Sequence, residues 1–397
     1  NSIFYKLDLE HLARLYSHTD VELPAPLPPE EDVAARIHDS MFRAYVYQCR
    51  GAPEQARQHE QNAFGLLRES LFDQLRGHEA APRCCVQEDQ IVWGRSPVRL
   101  DLAGGWTDTP PHTILNGGRV VNMAVNLNGQ PPVQVYVRRR DTPDIVIRSI
   151  DLGVEEHIDS YEGLGNFGEV GSGFGIAKAA LALAGFSPLC QDALRQETTL
   201  RKQLEHFGGG LELSMLAAVP KGSGLGTSSI LAATLLSTLS DVCGLEWDAD
   251  TVMFRTLVLE QLLTTGGGWQ DQAGSLFPGV KMIETEAGFT QTPAVKWLPE
   301  KLFSDAGTRE CMLLFYTGLT RTAKDILSQI VRRMFLNHQE VLRTLDTLST
   351  HALDTYQVIQ EARWDGFCEA IARSWRLNQE IDSGTNPPQV QAVLERV

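Results

Sequence analysis

Between Ile91 and Ile150 apolar and polar positions alternate with a period of two, the pattern of strands with one buried face. Val98, Leu100 and Leu102 alternate with Arg99, Asp101 and Ala103, and Val133, Val135 and Val137 repeat the pattern ahead of Arg138, Arg139 and Arg140. Asn128-Gly129 between them is a hairpin-turn signal. Upstream the period is helical: Phe64, Leu67, Leu71 and Leu75 mark the second of two helices that follow a stiff, proline-rich stretch at Pro24, Pro26, Pro28 and Pro29. Downstream, Leu211, Leu213 and Met215 predict a strand that ends at Pro220. Ile230 to Leu239 predicts a helix, as does Ala249 to Leu263 with Phe254, Leu257, Val258 and Leu262 on its apolar face. Cys311 to Tyr316 reads as a buried strand, and 321–397 as mostly helical around a Pro387-Pro388 interruption. The expected organisation is an N-terminal linker and helical appendage at 1–85, a mixed strand and helix region at 86–275, and a C-terminal region at 276–397. No internal repeat is evident.

Composition narrows the class. At 397 residues and 43% hydrophobic, the chain can bury a substantial core. A net charge of −15 argues against a nucleic-acid-binding or anionic-membrane surface, and Arg138 to Arg140 read as a solvated strand end. Seven cysteines, odd in number and without C-x-x-C spacing, fit a reducing, cytoplasmic setting. No H-x-x-x-H zinc pattern, membrane-spanning stretch or signal-peptide core is seen. A start at Asn1 fits a piece of a longer chain.

Chemistry concentrates in three segments. The first to stand out is Pro220-Lys221-Gly222-Ser223-Gly224-Leu225-Gly226-Thr227-Ser228-Ser229, which feeds a helix directly from a strand. Gly222, Gly224 and Gly226 can adopt positive φ, letting backbone N–H groups converge on an anion at the positive end of the next helix. Thr227, Ser228 and Ser229 add hydroxyls within reach of a phosphate-bound Mg²⁺. The loop matches neither the P-loop nor the dinucleotide pattern. Gly171-Ser172-Gly173-Phe174-Gly175 reads as a plain helix entry, since no acid or hydroxyl cluster accompanies it.

The second segment, Thr265-Gly266-Gly267-Gly268-Trp269-Gln270-Asp271-Gln272, places a carboxylate beside flexible glycines. Glu260 lies eleven residues before Asp271, on a helix, so it can hold a metal while Asp271 accepts a proton. The third segment is Ser96-Pro97-Val98-Arg99-Leu100-Asp101-Leu102-Ala103-Gly104-Gly105-Trp106-Thr107-Asp108-Thr109-Pro110-Pro111. It sets an arginine on a strand and an aspartate after a double glycine.

Together the three segments resemble the GHMP small-molecule kinase superfamily. The wording GGWTDTPP and GGGWQDQ is similar to its L-fucokinase branch, which includes the kinase half of bifunctional fucokinase/fucose-1-phosphate guanylyltransferases. The resemblance spans about Val92 to Val397. It implies a two-lobed α/β or α+β fold with the active site between lobes, and ATP-dependent phosphorylation of the anomeric hydroxyl of L-fucose. On this pattern Asp271 is the catalytic base, and Arg99 pairs with it and offsets charge near the transferring phosphoryl group. Pro220, Gly222, Ser223, Gly224, Leu225, Gly226, Thr227, Ser228 and Ser229 cradle the ATP phosphates. Glu260 and Ser228 hold Mg²⁺, while Gly105, Trp106, Asp108 and Trp269 meet the sugar. Each tryptophan can equally fill core space.

One departure stands out: the family's third, late glycine-rich segment is absent, which implies an incomplete C-terminal lobe. Two other readings stay open. One is a heptose 7-phosphate kinase, whose first motif is similar and which needs a further basic site for the substrate's phosphate. The other is a catalytically silent sugar- or nucleotide-binding module of a larger protein with a guanylyltransferase part, in which the residues before about Cys84 serve tethering or assembly.

Overall fold

The computed structural model describes residues 3–19, 21–78, 81–168, 173–188, 199–220, 222–263, 266–318 and 323–396. Lys221, Thr265 and Cys190 lie outside these ranges. Among the described residues nine strands form two sheets: β1 (Ile91–Ser96), β2 (Val98–Ala103), β3 (Gly118–Val125), β4 (Val133–Arg140), β5 (Ile145–Ser149), β6 (Val154–Ile158), β7 (Gly210–Ala217), β8 (Val280–Thr285) and β9 (Ala294–Trp297). The larger sheet has the order β1-β4-β7-β5-β6, antiparallel except where β5 runs beside β7. The smaller sheet, β2-β3-β8-β9, is antiparallel throughout. The chain changes sheets at Pro97, which has no N–H to continue a ladder.

Asn128 and Gly129 both take positive φ, at 51° and 74°, in the predicted turn between β3 and β4. The inner face of the larger sheet, Val135, Val137, Ile145, Ile147, Leu211 and Leu213, packs against the helices Gly175–Leu181, Thr227–Cys243 and Ala249–Leu262. The smaller sheet uses both faces. Leu102, Val121, Val280 and Met282 pack with Ala352, Ile359 and Phe367 of the long C-terminal helices Gln339–Gln360 and Trp364–Ile381. On its other face Val120 and Ile283 meet Met253, Trp269, Ala273 and Phe277. Among the described residues no helix is long and apolar enough to cross a membrane.

Two expectations are corrected. The N-terminal helices Leu9–Ser17, Val33–Cys49 and Pro53–Asp73 do not hang from the molecule as an appendage. Leu9, Ile37, Met41, Phe42, Leu67 and Leu71 belong to the same buried cluster as the larger sheet and the helix Ala323–Phe335. Their apolar stripes need a surface to cover, and the sheet's helices offer it. Cys311 to Tyr316 is not a buried strand: it is irregular, with Leu313 at 85% exposure and Leu314, Phe315 and Tyr316 exposed beside it. Apolar content marks a strand's preference, whereas a strand also needs a ladder partner, and this segment has none among the described residues.

Candidate active site

A cavity of about 790 Å³ opens where the edges of the two sheets meet the glycine-rich turns. Its size is that of a small-molecule site. One end is apolar, lined by Leu152, Phe167, Phe174, Ile176, Met215 and Leu327. The polar part of the lining is Arg99, Asp108, Glu260, Gln270 and Asp271, and the glycine loop lines the cavity as well.

Gly222, Gly224 and Gly226 take φ of 72°, 79° and 76°, as the loop reading requires. Leu225 packs with Val98, Val133, Val219 and Ile230, fixing the loop to the core while its neighbours face the cavity. Pro220 is exposed and its carbonyl accepts the Ser223 N–H at 3.2 Å. The helix Thr227–Cys243 starts at Gly226 with no side-chain cap, so its first-turn N–H groups are available to an anion. Among the described residues the buried hydroxyls Ser223 Oγ and Thr227 Oγ1 have no hydrogen-bond partner, which leaves them available to a phosphate.

Arg99 ties the three sequence segments together. Its Nε donates to Asp271 Oδ1 at 2.8 Å, its Nη2 makes a second short contact to the same oxygen, and its Nη1 donates to the Gly224 carbonyl at 3.2 Å. Burial opposes the guanidinium's charge, but the carboxylates of Asp271 and Asp101 outweigh it and hold the group above its ordinary value. Asp271 sits in the first turn of the short helix Gln270–Leu276, 27% exposed toward the cavity. Gly226 faces it so closely that a Cβ there would lie 2.9 Å from the Asp271 Cγ.

Asp108 is 1% exposed, and its Oδ2 accepts the Gln270 N–H at 3.0 Å while Oδ1 has no partner. Gly268 makes this approach possible, since a Cβ there would sit 2.0 Å from Asp108 Oδ2. Burial pushes Asp108 up to about 7 against the pull of the Gln270 N–H, with Asp271 and Asp101 adding to the rise. Asp101 is likewise pushed by burial, up to about 6, although Arg99 favours its charged form. Glu260, 5% exposed, accepts the Ser229 hydroxyl at 2.8 Å at the start of the loop helix. Ser228 is exposed at the cavity wall. Among the described residues no group of three His, Cys, Asp or Glu side chains could hold a metal by itself.

The tryptophans divide. Trp106, at a positive φ of 79°, lines the cavity. Trp269 does not: it is fully buried in the core beneath the smaller sheet, with its Nε1 donating to Thr113 Oγ1 at 3.2 Å, so its assignment to the sugar is corrected. Gly105 stands behind the polar end, close to Asp101 and Gln270. Sequence reasoning missed Gln270, Thr109 and the whole apolar end. Gly173, Phe174 and Gly175, taken for a plain helix entry, line that end and also start the helix. The glycines there were the one available signal; Leu152, Phe167 and Met215 carry none.

Comparison with known proteins follows the same lines. The family described as GHMP kinases N terminal domain matches residues 190–279. The chain is 48% identical over 396 residues to an L-fucokinase/L-fucose-1-P guanylyltransferase of Bacteroides fragilis, an alignment covering 100% of this chain and 41% of that protein. It is 33% identical over 288 residues to a bifunctional fucokinase/GDP-fucose pyrophosphorylase of Arabidopsis thaliana, covering 72% of this chain and 26% of the relative. The chain thus spans less than half the length of these curated relatives. A solved D-glycero-D-manno-heptose 1-phosphate kinase from Bacteroides thetaiotaomicron has the same fold, with a TM-score of 0.52, 17% identity, and coverage of 73% of this chain and 80% of that one.

Proposed function

Because the chain belongs to the GHMP kinase superfamily, in its L-fucokinase branch, we propose that it transfers the γ-phosphoryl group of ATP to the anomeric hydroxyl of L-fucose. The products are L-fucose 1-phosphate and ADP. The observation that carries this reading is the position of Arg99, bonded at once to the Asp271 carboxylate and to the carbonyl of Gly224 in the glycine loop. It supports reading a base, a positive charge and a phosphate cradle around one point of the cavity.

In this mechanism the anomeric hydroxyl donates its proton to Asp271 as its oxygen attacks the γ-phosphorus, and the β,γ-bridging oxygen leaves with ADP. Arg99 and the N-terminal N–H groups of the helix Thr227–Cys243 offset charge on the transferring group. Ser223 and Thr227 donate hydroxyls to the phosphates. Glu260, with Ser228 or Ser229, would offer hard oxygen ligands that suit Mg²⁺, which would neutralise phosphate charge when bound. The apolar end of the cavity suits the nucleoside. The fused guanylyltransferase of the relatives makes a sugar 1-phosphate the fitting product for a longer protein of this kind.

Arg99 is the one basic side chain among the described cavity-lining residues, and it is committed to Asp271. Among the described residues a heptose phosphate would find no second cation there. ADP release with Mg²⁺-ATP against L-fucose, D-arabinose, D-galactose and a heptose 7-phosphate, with mass detection of the product, tests the reading. Fucose-dependent formation of a sugar 1-phosphate is expected. A folded chain that binds ATP and turns over no sugar is a silent module, and heptose turnover alone replaces the acceptor.

A further inference from the structure

Among the described residues, two buried acceptor oxygens of cavity-lining side chains have no hydrogen-bond partner: Asp108 Oδ1 and Gln270 Oε1. Buried acceptors without donors are costly, and native proteins retain few of them. These two belong to residues already joined, since the Gln270 N–H donates to the other oxygen of Asp108 at 3.0 Å. The Gln270 side-chain amide lies beside Gly105, where a Cβ would come within 3.3 Å of its Nε2. Gln270 directly precedes Asp271, and both line the cavity. A pair of unsatisfied acceptors calls for a ligand with two neighbouring donors, which a sugar ring supplies as adjacent hydroxyls.

We propose that Gln270 is a specificity-determining residue, accepting a hydrogen bond from one ring hydroxyl of the acceptor sugar while Asp108 accepts from its neighbour. The inference rests on reading the cavity as a sugar-kinase site and extends it from sugar class to the hydroxyls that are read. A site built around a hydroxyl donor rejects the analogue that lacks it far more strongly than an apolar pocket rejects a change of shape. Gln270 does not take part in proton or phosphoryl transfer, so its loss falls on sugar recognition.

The test compares wild type with Gln270→Met on L-fucose and its 2-, 3- and 4-deoxy analogues, measuring KM and kcat for sugar and for ATP. Wild type should lose at least about 100-fold in kcat/KM on the deoxy sugar that lacks the hydroxyl facing Gln270. In Gln270→Met that loss should shrink to a few-fold for that analogue only, with the KM for L-fucose raised at least tenfold and the KM for ATP unchanged. Gln270→Ala gives the same comparison if the thioether disturbs the Gly105 contact. Equal losses in wild type and variant for all three analogues would overturn the proposal. Saturation-transfer NMR of the same sugars separates it from the kinase reading. Sugar binding that depends on Gln270 without turnover supports the contact and removes the kinase, whereas turnover indifferent to Gln270 removes the contact alone.

Discussion

Arg99 could not be exchanged for lysine without loss, because a guanidinium reaches two acceptors in fixed directions and an ammonium on a flexible stem does not. Both its partners matter: Asp271 is the proposed base and Gly224 belongs to the phosphate loop. Asp271→Asn keeps the shape of that contact and removes the proton acceptor. Its kcat should fall about 10² to 10⁴-fold with the sugar KM changed only a few-fold, measured by coupled ADP release. Asp108 gives a second residue-scale prediction, in pH. Its folded value of about 7 lies above the ordinary 3.8, so the native state binds more protons than the unfolded state between those values. Stability of the free protein should therefore fall as pH rises through that window, and Asp108→Asn should flatten the fall, read from denaturant midpoints at pH 5 and 7.5. In the proposed contact the sugar donates to the ionised form, so kcat/KM for sugar should drop as pH falls below about 7 while the KM for ATP stays level.

At the scale of elements, the glycine loop is flanked by β7 and the helix Thr227–Cys243, and its described glycines line the cavity. Gly226 occupies its tightest point, with a φ of 76° and the Asp271 carboxyl against its α-carbon. Gly226→Ala adds strain and pushes on Asp271 together. A tenfold or larger fall in kcat with a raised KM for ATP is expected, while Gly129→Ala in the open turn between β3 and β4 should leave both constants alone. These elements were legible in sequence because each has a local cause: alternation for β2, β4 and β7, and glycines for the loop. What was not legible depends on partners distant in sequence. Trp269 is a core residue because β3 and β8 cover it, and Gln270 enters the site because Asp108, 162 residues away, captures its N–H. Cys311 to Tyr316 has the composition of a buried strand without a neighbour to make it one.

Across the whole molecule, the N-terminal helices and the C-terminal half form one structural unit. Leu9 N donates to the Leu336 carbonyl at 2.8 Å, buried His38 donates from Nδ1 to the Phe335 carbonyl at 2.6 Å, and Asn337 Nδ2 donates to the Tyr5 carbonyl at 2.7 Å. Glu60 accepts from Arg332 Nε at 3.0 Å. All four contacts clasp the helix Ala323–Phe335 or the turn after it, and that helix contributes Leu327 to the cavity wall. Residues far from the polar side chains of the cavity thus pack against the helix that supplies part of its apolar wall. The seven tryptophans, Trp93, Trp106, Trp247, Trp269, Trp297, Trp364 and Trp375, all lie beyond the N-terminal helices. Their fluorescence therefore reports unfolding of the remainder of the protein alone. Met41→Ala empties a fully buried site in the second N-terminal helix and should cost about 2 to 5 kcal/mol. If the helices share the core, tryptophan fluorescence and far-UV circular dichroism will shift together to lower denaturant in one cooperative step. An unshifted tryptophan transition, with only part of the circular dichroism lost early, would mean that the N-terminal helices unfold by themselves and that the clasp contributes little to holding the cavity wall.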